Sequence, residues 1–304
     1  MIYSAILFNH DARLPLSILL KSSSDLQPIL FFFIAIILYL RWLRHNPRGN
    51  LLYRLPFFSP YRSKIDAAPF FNSERKLQEL RDQHEPALLQ HIPYYVQLKP
   101  ELQRKFLLRI PYFLREKNFR STDEMEVTDE MKTLIAGSAI QLTLGLENFI
   151  FASFHTIIIT PHKYLSPITH KYHIGEARPG GVIMISWEDF LKGYQLGHDT
   201  YNVGLHELAH ALELDTHAGN LYDDAFGAHY DRWEKVSYQE YQNMQDDSDH
   251  FLRDYAGTNL REFFAVCVEH FFEASNEFRS AMPELYEELA YLLNQDPAEG
   301  IVGS

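Results

Sequence analysis

The sequence contains little cysteine and little positive charge for its length. Cys267 is the single cysteine among 304 residues, which excludes an internal disulfide and any zinc site built from several cysteines. Lysine and arginine number 28 against 40 acidic residues, so the net charge is −12. Proteins that bind nucleic acid need a basic face to neutralise phosphates, and this composition argues against direct nucleic-acid binding. With 46% hydrophobic and 22% charged residues, the chain is expected to form a globular core.

The first 64 residues differ from the rest of the chain in charge and hydropathy. They carry eight basic and two acidic residues, a net charge of +6, which leaves −18 for residues 65–304. Residues 29–40 read ILFFFIAIILYL, in which a tyrosine hydroxyl is the single polar side-chain group. With its flanks this run makes a helix of about 27 Å, close to the ~30 Å of a bilayer core. We therefore predict a membrane-anchoring helix at 26–45, preceded by an unassigned leader at 1–25 and followed by a linker at 46–75.

Two other interpretations compete with a membrane anchor. A cleaved signal peptide is disfavoured because Arg-Trp-Leu-Arg, rather than small residues, follows the apolar run. A buried core helix stays open, because the run itself is shorter than the ~20 residues of a typical span. Residues 41–65 contain six basic residues and no acidic one, which by the positive-inside rule keeps that side in the cytoplasm. The expected location is the cytoplasmic membrane, crossed once, with the remaining chain in the cytoplasm.

Apolar periodicity in the remaining chain predicts mainly helices. Helical patterns cover 73–116, 123–146, 201–214, 228–245, 259–274 and 283–294. β-Branched runs bounded by turn residues predict strands at 155–160 and 182–187. These elements predict an α+β domain at 76–300, mostly helical with a small mixed β-sheet. Its first part, 76–150, is helical, and its second part, 151–300, carries the motif described next.

Residues 205–211 contain the motif His-Glu-x-x-His inside a helical pattern. His206 and His210 are one turn apart, and on a helix they point about 40° from each other. Two imidazoles in this arrangement can bind one Zn²⁺ at about 2.0–2.1 Å. Glu207 lies between them and can take a proton from a zinc-activated water that attacks a carbonyl. The alternative is a chance match, which the helical context of the motif disfavours.

A catalytic zinc site needs a third protein ligand and an open position. Glu213, three residues after His210, is expected to lie behind the ligands or to face solvent. The later helical pattern, 259–274, carries Glu262 and Glu269, which are seven residues apart and therefore on one face. Phenylalanines around them indicate a buried helix, where a carboxylate needs a partner such as a metal. The residues alone leave both glutamates as candidate ligands, with a salt bridge or a helix-cap contact as the alternative for Glu269. If Glu262 is the ligand, Glu269 and Glu213 are the candidates for a position behind the ligands.

Several stretches of the chain match a known family in order and spacing. They are 116–119, 127–131, 183–187, Asn202 with the LHELAH of 205–210, and the YAGTNLREFFA of 255–265. Together they resemble the Mlc titration factor A family of zinc peptidases, which is related to the gluzincin-type metallopeptidases. The resemblance covers roughly 75–300 and leaves 1–60 outside. The segment that follows His210 departs from the family pattern.

The resemblance implies both a fold and a chemistry. The fold is a zincin-like metallopeptidase domain, and the cofactor is Zn²⁺ held by His206, His210 and Glu262, with Glu207 as the general base. It also implies that Tyr255 faces the site and can donate a hydrogen bond to a tetrahedral oxyanion. Peptidases of this type commonly bind substrate along an edge strand beside the metal helix.

The substrate strand is predicted just before the motif helix. The residues proposed for it are Val182, Ile183, Met184, Ile185, Ser186 and Trp187. The alternative is that this strand belongs to the core of the sheet. The segment before it, 166–181, is rich in His, Tyr and Gly and is predicted to form a mobile loop near the cleft.

The combined prediction is a zinc-dependent peptidase acting on a peptide or protein substrate and held at the membrane through 26–45. The main alternative is a regulatory binding protein that sequesters a transcriptional repressor, in which the zinc site is structural or weakly active. A third interpretation is a membrane-anchored helical scaffold with a chance motif. Glu207 and Tyr255 favour the enzyme, because a binding module needs neither residue.

Overall fold

The computed structural model describes residues 73–303, apart from 167–168, 197–199, 221–225 and 247–249. The predicted leader, the predicted membrane helix and nearly all of the predicted linker lie outside these residues. Across the described ranges, every helix is too short or too polar to cross a bilayer.

Three helices occupy the region where the periodicity predicts one helix, 73–116. They are α1 (Glu74–His91), α2 (Pro93–Gln97) and α3 (Pro100–Glu116). Two prolines cause the division, since each stands at the start of a helix, where its missing N–H costs nothing and the residue before it is extended.

The helix that follows is shorter than the predicted 123–146. Strand β1 (Asn118–Ser121) comes first, and α4 (Asp129–Thr143) follows it. Helix α4 begins where it does because the Thr128 side chain accepts a hydrogen bond from the Met131 amide, which caps the first turn. From Thr133 onward every residue of α4 is buried, so α4 forms the centre of the helical part.

The chain also forms a four-stranded sheet, to which β1 belongs. The strands that follow β1 along the chain are β2 (Thr156–Thr160), β3 (Tyr164–Leu165), β4 (Tyr172–His173), β5 (Gly175–Arg178) and β6 (Val182–Ser186). Strands β2, β5 and β6 belong to the sheet with β1, and β3 and β4 form a separate hairpin. The order in the sheet is β1-β2-β6-β5, and β3 pairs with β4. Strands β1, β2 and β6 are parallel, while β5 runs antiparallel to β6. The sheet is therefore mixed, with β1 and β5 at its edges.

The predicted substrate strand is not an edge strand, so this prediction is wrong. Residues 182–186 form β6, which is paired on both sides, and Trp187 already begins the next helix. The edge strand on the side of the motif helix is β5, which lies inside the segment predicted as a loop, 166–181. Gly180 and Gly181 turn β5 back onto β6 with φ of 106° and 85°. Strand β5 reads Gly-Glu-Ala-Arg and contains no β-branched or aromatic residue, so its composition is not typical of a strand.

The remaining elements complete a second, mostly helical part. They are α5 (Trp187–Leu196), α6 (Val203–His217), α7 (Phe226–Asp246), a 3-10 helix (Asp254–Thr258), α8 (Leu260–Glu273), α9 (Ser275–Ala281), α10 (Pro283–Leu293), β7 (Gln295–Asp296) and β8 (Ile301–Val302). Helix α6 packs against α8, α4, β5 and β6. The prediction of an α+β fold, mostly helical with a small mixed sheet, is confirmed.

Candidate metal centre

Helix α6 carries the His-Glu-x-x-His motif in the interior of the molecule. Asn202 caps the helix, since its side-chain oxygen accepts a hydrogen bond from the Leu205 amide at 3.0 Å. From Val203 to Glu213 every residue of α6 is buried. This part of α6 is therefore enclosed by the protein, and its two histidines have only 8% and 6% of their surface exposed.

Three side-chain atoms from two helices converge at one point. The Nε2 atom of His206 lies 3.1 Å from Nε2 of His210 and 3.0 Å from Oε2 of Glu262. The third side of this triangle, from His210 Nε2 to Glu262 Oε2, measures 3.3 Å. Two tetrahedral ligands at about 2.05 Å from one zinc are separated by about 3.3 Å. The spacing and the donor types therefore fit a single Zn²⁺ ion.

Glu262 is directed toward α6 by the start of its own helix. The Asn259 side chain accepts hydrogen bonds from the amides of Arg261 and Glu262, which fixes the first turn of α8. Phenylalanines 263, 264 and 271 bury the opposite side of α8 in the core. The carboxylate of Glu262 consequently faces the two imidazoles.

The electrostatic surroundings of the triangle favour positive charge there. Burial opposes protonation of His206, but the charge of Glu269 and hydrogen bonds to Glu262 and Glu269 outweigh it and raise the pKa of His206 to about 10. Burial also works against ionisation of Glu262, yet hydrogen bonds from both histidines hold its pKa well below the usual range. The pKa of His210 is lowered, mainly by burial. A divalent cation at the triangle would balance the negative charge of Glu262 and Glu269, as a protonated imidazole does.

The carboxylate of Glu207 lies between α6 and the edge strand β5. Glu207 is 5% exposed, and its Oε2 has no hydrogen-bond partner among the described residues. Gly175 of β5 makes room for it, because a Cβ atom there would come within 2.5 Å of Cγ and Oε1 of Glu207. Burial raises the pKa of Glu207 to about 7. That value suits a group that accepts protons near neutral pH.

Glu269 and Glu262 occupy different positions around His206. The Oε1 atom of Glu269 lies 3.4 Å from Nδ1 of His206, on the far side of the ring from Glu262. Glu269 is 2% exposed and also accepts a hydrogen bond from the Asn202 amide at 3.1 Å. The structure thus brings Glu262 to the ligand triangle and Glu269 behind it, where it fixes the imidazole.

Glu213 is held apart from the ligand triangle. It is buried on α6, and its Oε2 accepts a hydrogen bond from Arg261 Nε at 3.2 Å. Burial raises the pKa of Glu213. This carboxylate joins α6 to the start of α8, so its contribution is to the packing of the two helices.

Tyr255 lies in the 3-10 helix at the open side of the site. Its ring centroid is 5.9 Å from that of His206, and the residue is 49% exposed. Burial of the hydroxyl, followed by the neighbouring Glu262 carboxylate, raises the pKa of Tyr255 to about 12. The hydroxyl therefore keeps its proton at neutral pH and can act as a hydrogen-bond donor.

Sequence reasoning missed two residues that shape this site. Gly175 carries a weak signal, since a glycine in a strand often marks a close approach of another group. Arg253 carries none, because an arginine in a loop is ordinarily exposed. Its side chain is instead 14% exposed and bonded to Glu269.

Comparison with known proteins shows the family to which this chain belongs. A family model for the glucose-regulated metallo-peptidase M90 matches residues 71–293. The uncharacterized protein slr2042 of Synechocystis sp. is 30% identical over 215 residues, which are 65% of this chain and 78% of that protein. Mlc titration factor A of Klebsiella pneumoniae is 26% identical over 235 residues, or 69% of this chain and 85% of that protein. Mlc titration factor A of Pectobacterium atrosepticum is 25% identical over 253 residues, which are 75% of this chain and 91% of that protein. The chain therefore belongs to the glucose-regulated metallo-peptidase M90 family, with the Mlc titration factor A proteins among its relatives.

Proposed function

We propose that this chain is a zinc-dependent peptidase whose metal is held by His206, His210 and Glu262. The observation that carries the proposal is the triangle of ligand atoms with sides of 3.0 to 3.3 Å beside the buried carboxylate of Glu207, one oxygen of which has no hydrogen-bond partner among the described residues. When bound, zinc supplies a Lewis acid that polarises a carbonyl and lowers the pKa of water.

Glu207 is the proposed general base. Its carboxylate is enclosed by α6 and by β5, so few groups compete for its free oxygen. A carboxylate with a pKa of about 7 can accept a proton from attacking water and later deliver it to the leaving amine. The backbone amide of Ala177, in β5, donates a hydrogen bond to this carboxylate and links it to the sheet.

Tyr255 is the proposed donor to the developing oxyanion. Its hydroxyl is protonated at neutral pH, and its ring lies beside His206 at the exposed side of the site. A donor placed where negative charge develops stabilises the transition state more than the substrate.

The substrate main chain is proposed to lie along β5 rather than along β6, where the sequence predicted it. Strand β6 has partners on both sides, whereas β5, within the described residues, pairs with β6 alone and packs against the motif helix. An extended peptide can add to an edge strand through main-chain hydrogen bonds. Under this proposal the scissile bond lies between β5 and the metal ligands.

The test compares two variants of the full chain, Glu207→Gln and Glu262→Ala. We expect Glu207→Gln to keep about one zinc per chain and to lose hydrolysis of a fluorogenic peptide library by at least about 10²-fold. Glu262→Ala should lose most of the zinc together with activity. Full turnover by Glu207→Gln would contradict the proposed base, and a wild-type chain that binds no supplied zinc would contradict the metal centre.

The second candidate function is binding of a transcriptional repressor. The name Mlc titration factor A, carried by several relatives, supports it. Under this proposal the chain binds an Mlc-like repressor and its zinc site is structural or weakly active. Binding of purified repressor that survives in Glu207→Gln, together with a wild-type chain that cleaves no peptide, would favour this function over the enzyme.

We also propose that residues 26–45 anchor the chain in the cytoplasmic membrane with the metal centre in the cytoplasm. The apolar run and the basic residues that follow it support this location. Membrane fractionation tests it, because the full chain should resist extraction with carbonate and a chain lacking 1–64 should not.

A further inference from the structure

Arg253 lies immediately before the 3-10 helix, with its guanidinium group behind the metal ligands. Its Nη2 donates to Oε2 of Glu269, and its Nη1 donates to the carbonyl oxygen of Thr200. Its Cζ atom lies 4.1 Å from the ring centroid of Tyr201. The single guanidinium thus connects a carboxylate on α8 with the segment that leads into α6.

Glu269 transmits the effect of Arg253 to the metal centre. One oxygen of this carboxylate lies 3.4 Å from Nδ1 of His206, and the other accepts from Arg253. Because Glu269 is 2% exposed, its charge needs a buried partner, which the guanidinium provides. The partner of Nδ1 decides how the imidazole is oriented and which nitrogen it presents to a metal.

Thr200 gives Arg253 a second role. The backbone of Thr200 has a φ of 59°, which lies in the left-handed region that β-branched residues rarely adopt. The hydrogen bond from Arg253 holds this carbonyl in place, and two residues later Asn202 caps α6 and donates its amide to Glu269. The start of the metal helix and the carboxylate behind His206 are therefore fixed by the same side chain.

We propose that Arg253 is a positioning residue of the metal centre, which holds Glu269 and the start of α6 so that His206 presents Nε2 to the metal. The inference rests on the zinc site of the proposed function. Arginine suits this position because its planar fork reaches two acceptors at once, whereas a lysine ammonium has no such fixed geometry.

The experiment measures the zinc affinity of full-length variants by competition with a chromogenic chelator. We expect Arg253→Met to weaken zinc binding by about 10- to 100-fold, the usual effect of removing a group behind a ligand. Arg253→Lys should fall between Arg253→Met and the wild type. The visible spectrum of the cobalt-loaded protein should change in both variants, because the geometry around His206 is altered.

The matched control is Arg232→Met. Arg232 pairs with the buried carboxylate of Glu288, between α7 and α10, neither of which carries a proposed ligand. This variant should bind zinc like the wild type. Equal zinc affinity in Arg253→Met and the wild type would overturn the inference, while a wild-type chain that binds no zinc would overturn the proposed function instead.

A double-mutant cycle covers the case in which Arg253→Met does not fold. Glu269→Gln keeps the size of the side chain and removes its charge. If Arg253 acts through Glu269, Arg253→Lys should weaken zinc binding much less in the Glu269→Gln background than in the wild type. Fully additive losses would show that the two residues act independently and would overturn the inference.

Discussion

Two arginines that donate hydrogen bonds to groups inside the protein, one in each part of the described chain, show that the same side chain can serve stability or chemistry. Arg109, in the helical part, is 2% exposed and donates to the carbonyl oxygens of Thr143, Leu144 and Leu146, where α4 ends. Arg253, in the part with the metal centre, donates to the carboxylate of Glu269 beside His206. Arg109 satisfies backbone groups that would otherwise lack partners, whereas Arg253 orders charges around a cation site. Burial alone therefore does not identify a functional charge; the groups that it contacts do.

The largest effect is expected from replacing Arg109, which tests whether this arginine contributes to stability without affecting the metal centre. We expect Arg109→Met to lower the free energy of unfolding by about 3–5 kcal/mol, because three carbonyls at the end of α4 lose a charged donor in a buried place. Urea unfolding followed by circular dichroism measures the loss. The zinc affinity of the folded fraction should stay at the wild-type value, and a parallel loss of affinity would show that the two parts are coupled.

A pair of glycine substitutions sharpens the same comparison. Gly175→Ala should lower kcat/KM about 10- to 100-fold, or about 1.4–2.7 kcal/mol, because its Cβ displaces the Glu207 carboxylate. Zinc affinity should be unchanged, since Glu207 is not a proposed ligand. Steady-state kinetics on a peptide substrate gives the ratio.

Gly137 provides the counterpart in the helical part. A Cβ atom there would lie 2.5 Å from Cδ1 of Ile92, so Gly137→Ala should cost about 1–3 kcal/mol of stability through overpacking. Its kcat/KM should match the wild type. An equal loss of kcat/KM in Gly137→Ala and Gly175→Ala would contradict the distinction between a stabilising part and a catalytic part.

The smallest expected effects concern the helix caps. Thr128→Ala should cost about 1 kcal/mol of stability, because the first turn of α4 loses its hydrogen bond to the Met131 amide. Asn202→Ala removes the equivalent bond from α6 at a similar cost, and it should also weaken zinc binding, since α6 carries both histidines. Thermal unfolding with and without zinc distinguishes them: only Asn202→Ala should reduce the stabilisation by zinc.

The elements that the sequence predicted best are those with a local cause. Helix α8 was predicted at 259–274 and is found at Leu260–Glu273, because Asn259 caps it and phenylalanines recur along one face. One long helix was predicted at 73–116 because the apolar periodicity continues through this whole range. The structure divides it into three helices, because two prolines interrupt the backbone more strongly than the periodicity favours a continuous helix. Strand β5 was missed because its edge position depends on pairing with β6, a contact that four residues cannot encode by themselves.

The sequence by itself determined the α+β class and the spacing that places His206 and His210 on one side of a helix, because helical geometry is local. The residue pattern also placed Glu262 and Glu269 on one face of α8 without ranking them, and the resemblance to the Mlc titration factor A family selected Glu262 as the expected ligand. Only the tertiary structure gave the contacts themselves, in which Glu262 meets the Nε2 atoms of both histidines while Glu269 lies behind His206, because these contacts depend on how α8 packs on α6. The roles of Gly175 and Arg253 were decided in the same way, by contacts between residues distant in the chain.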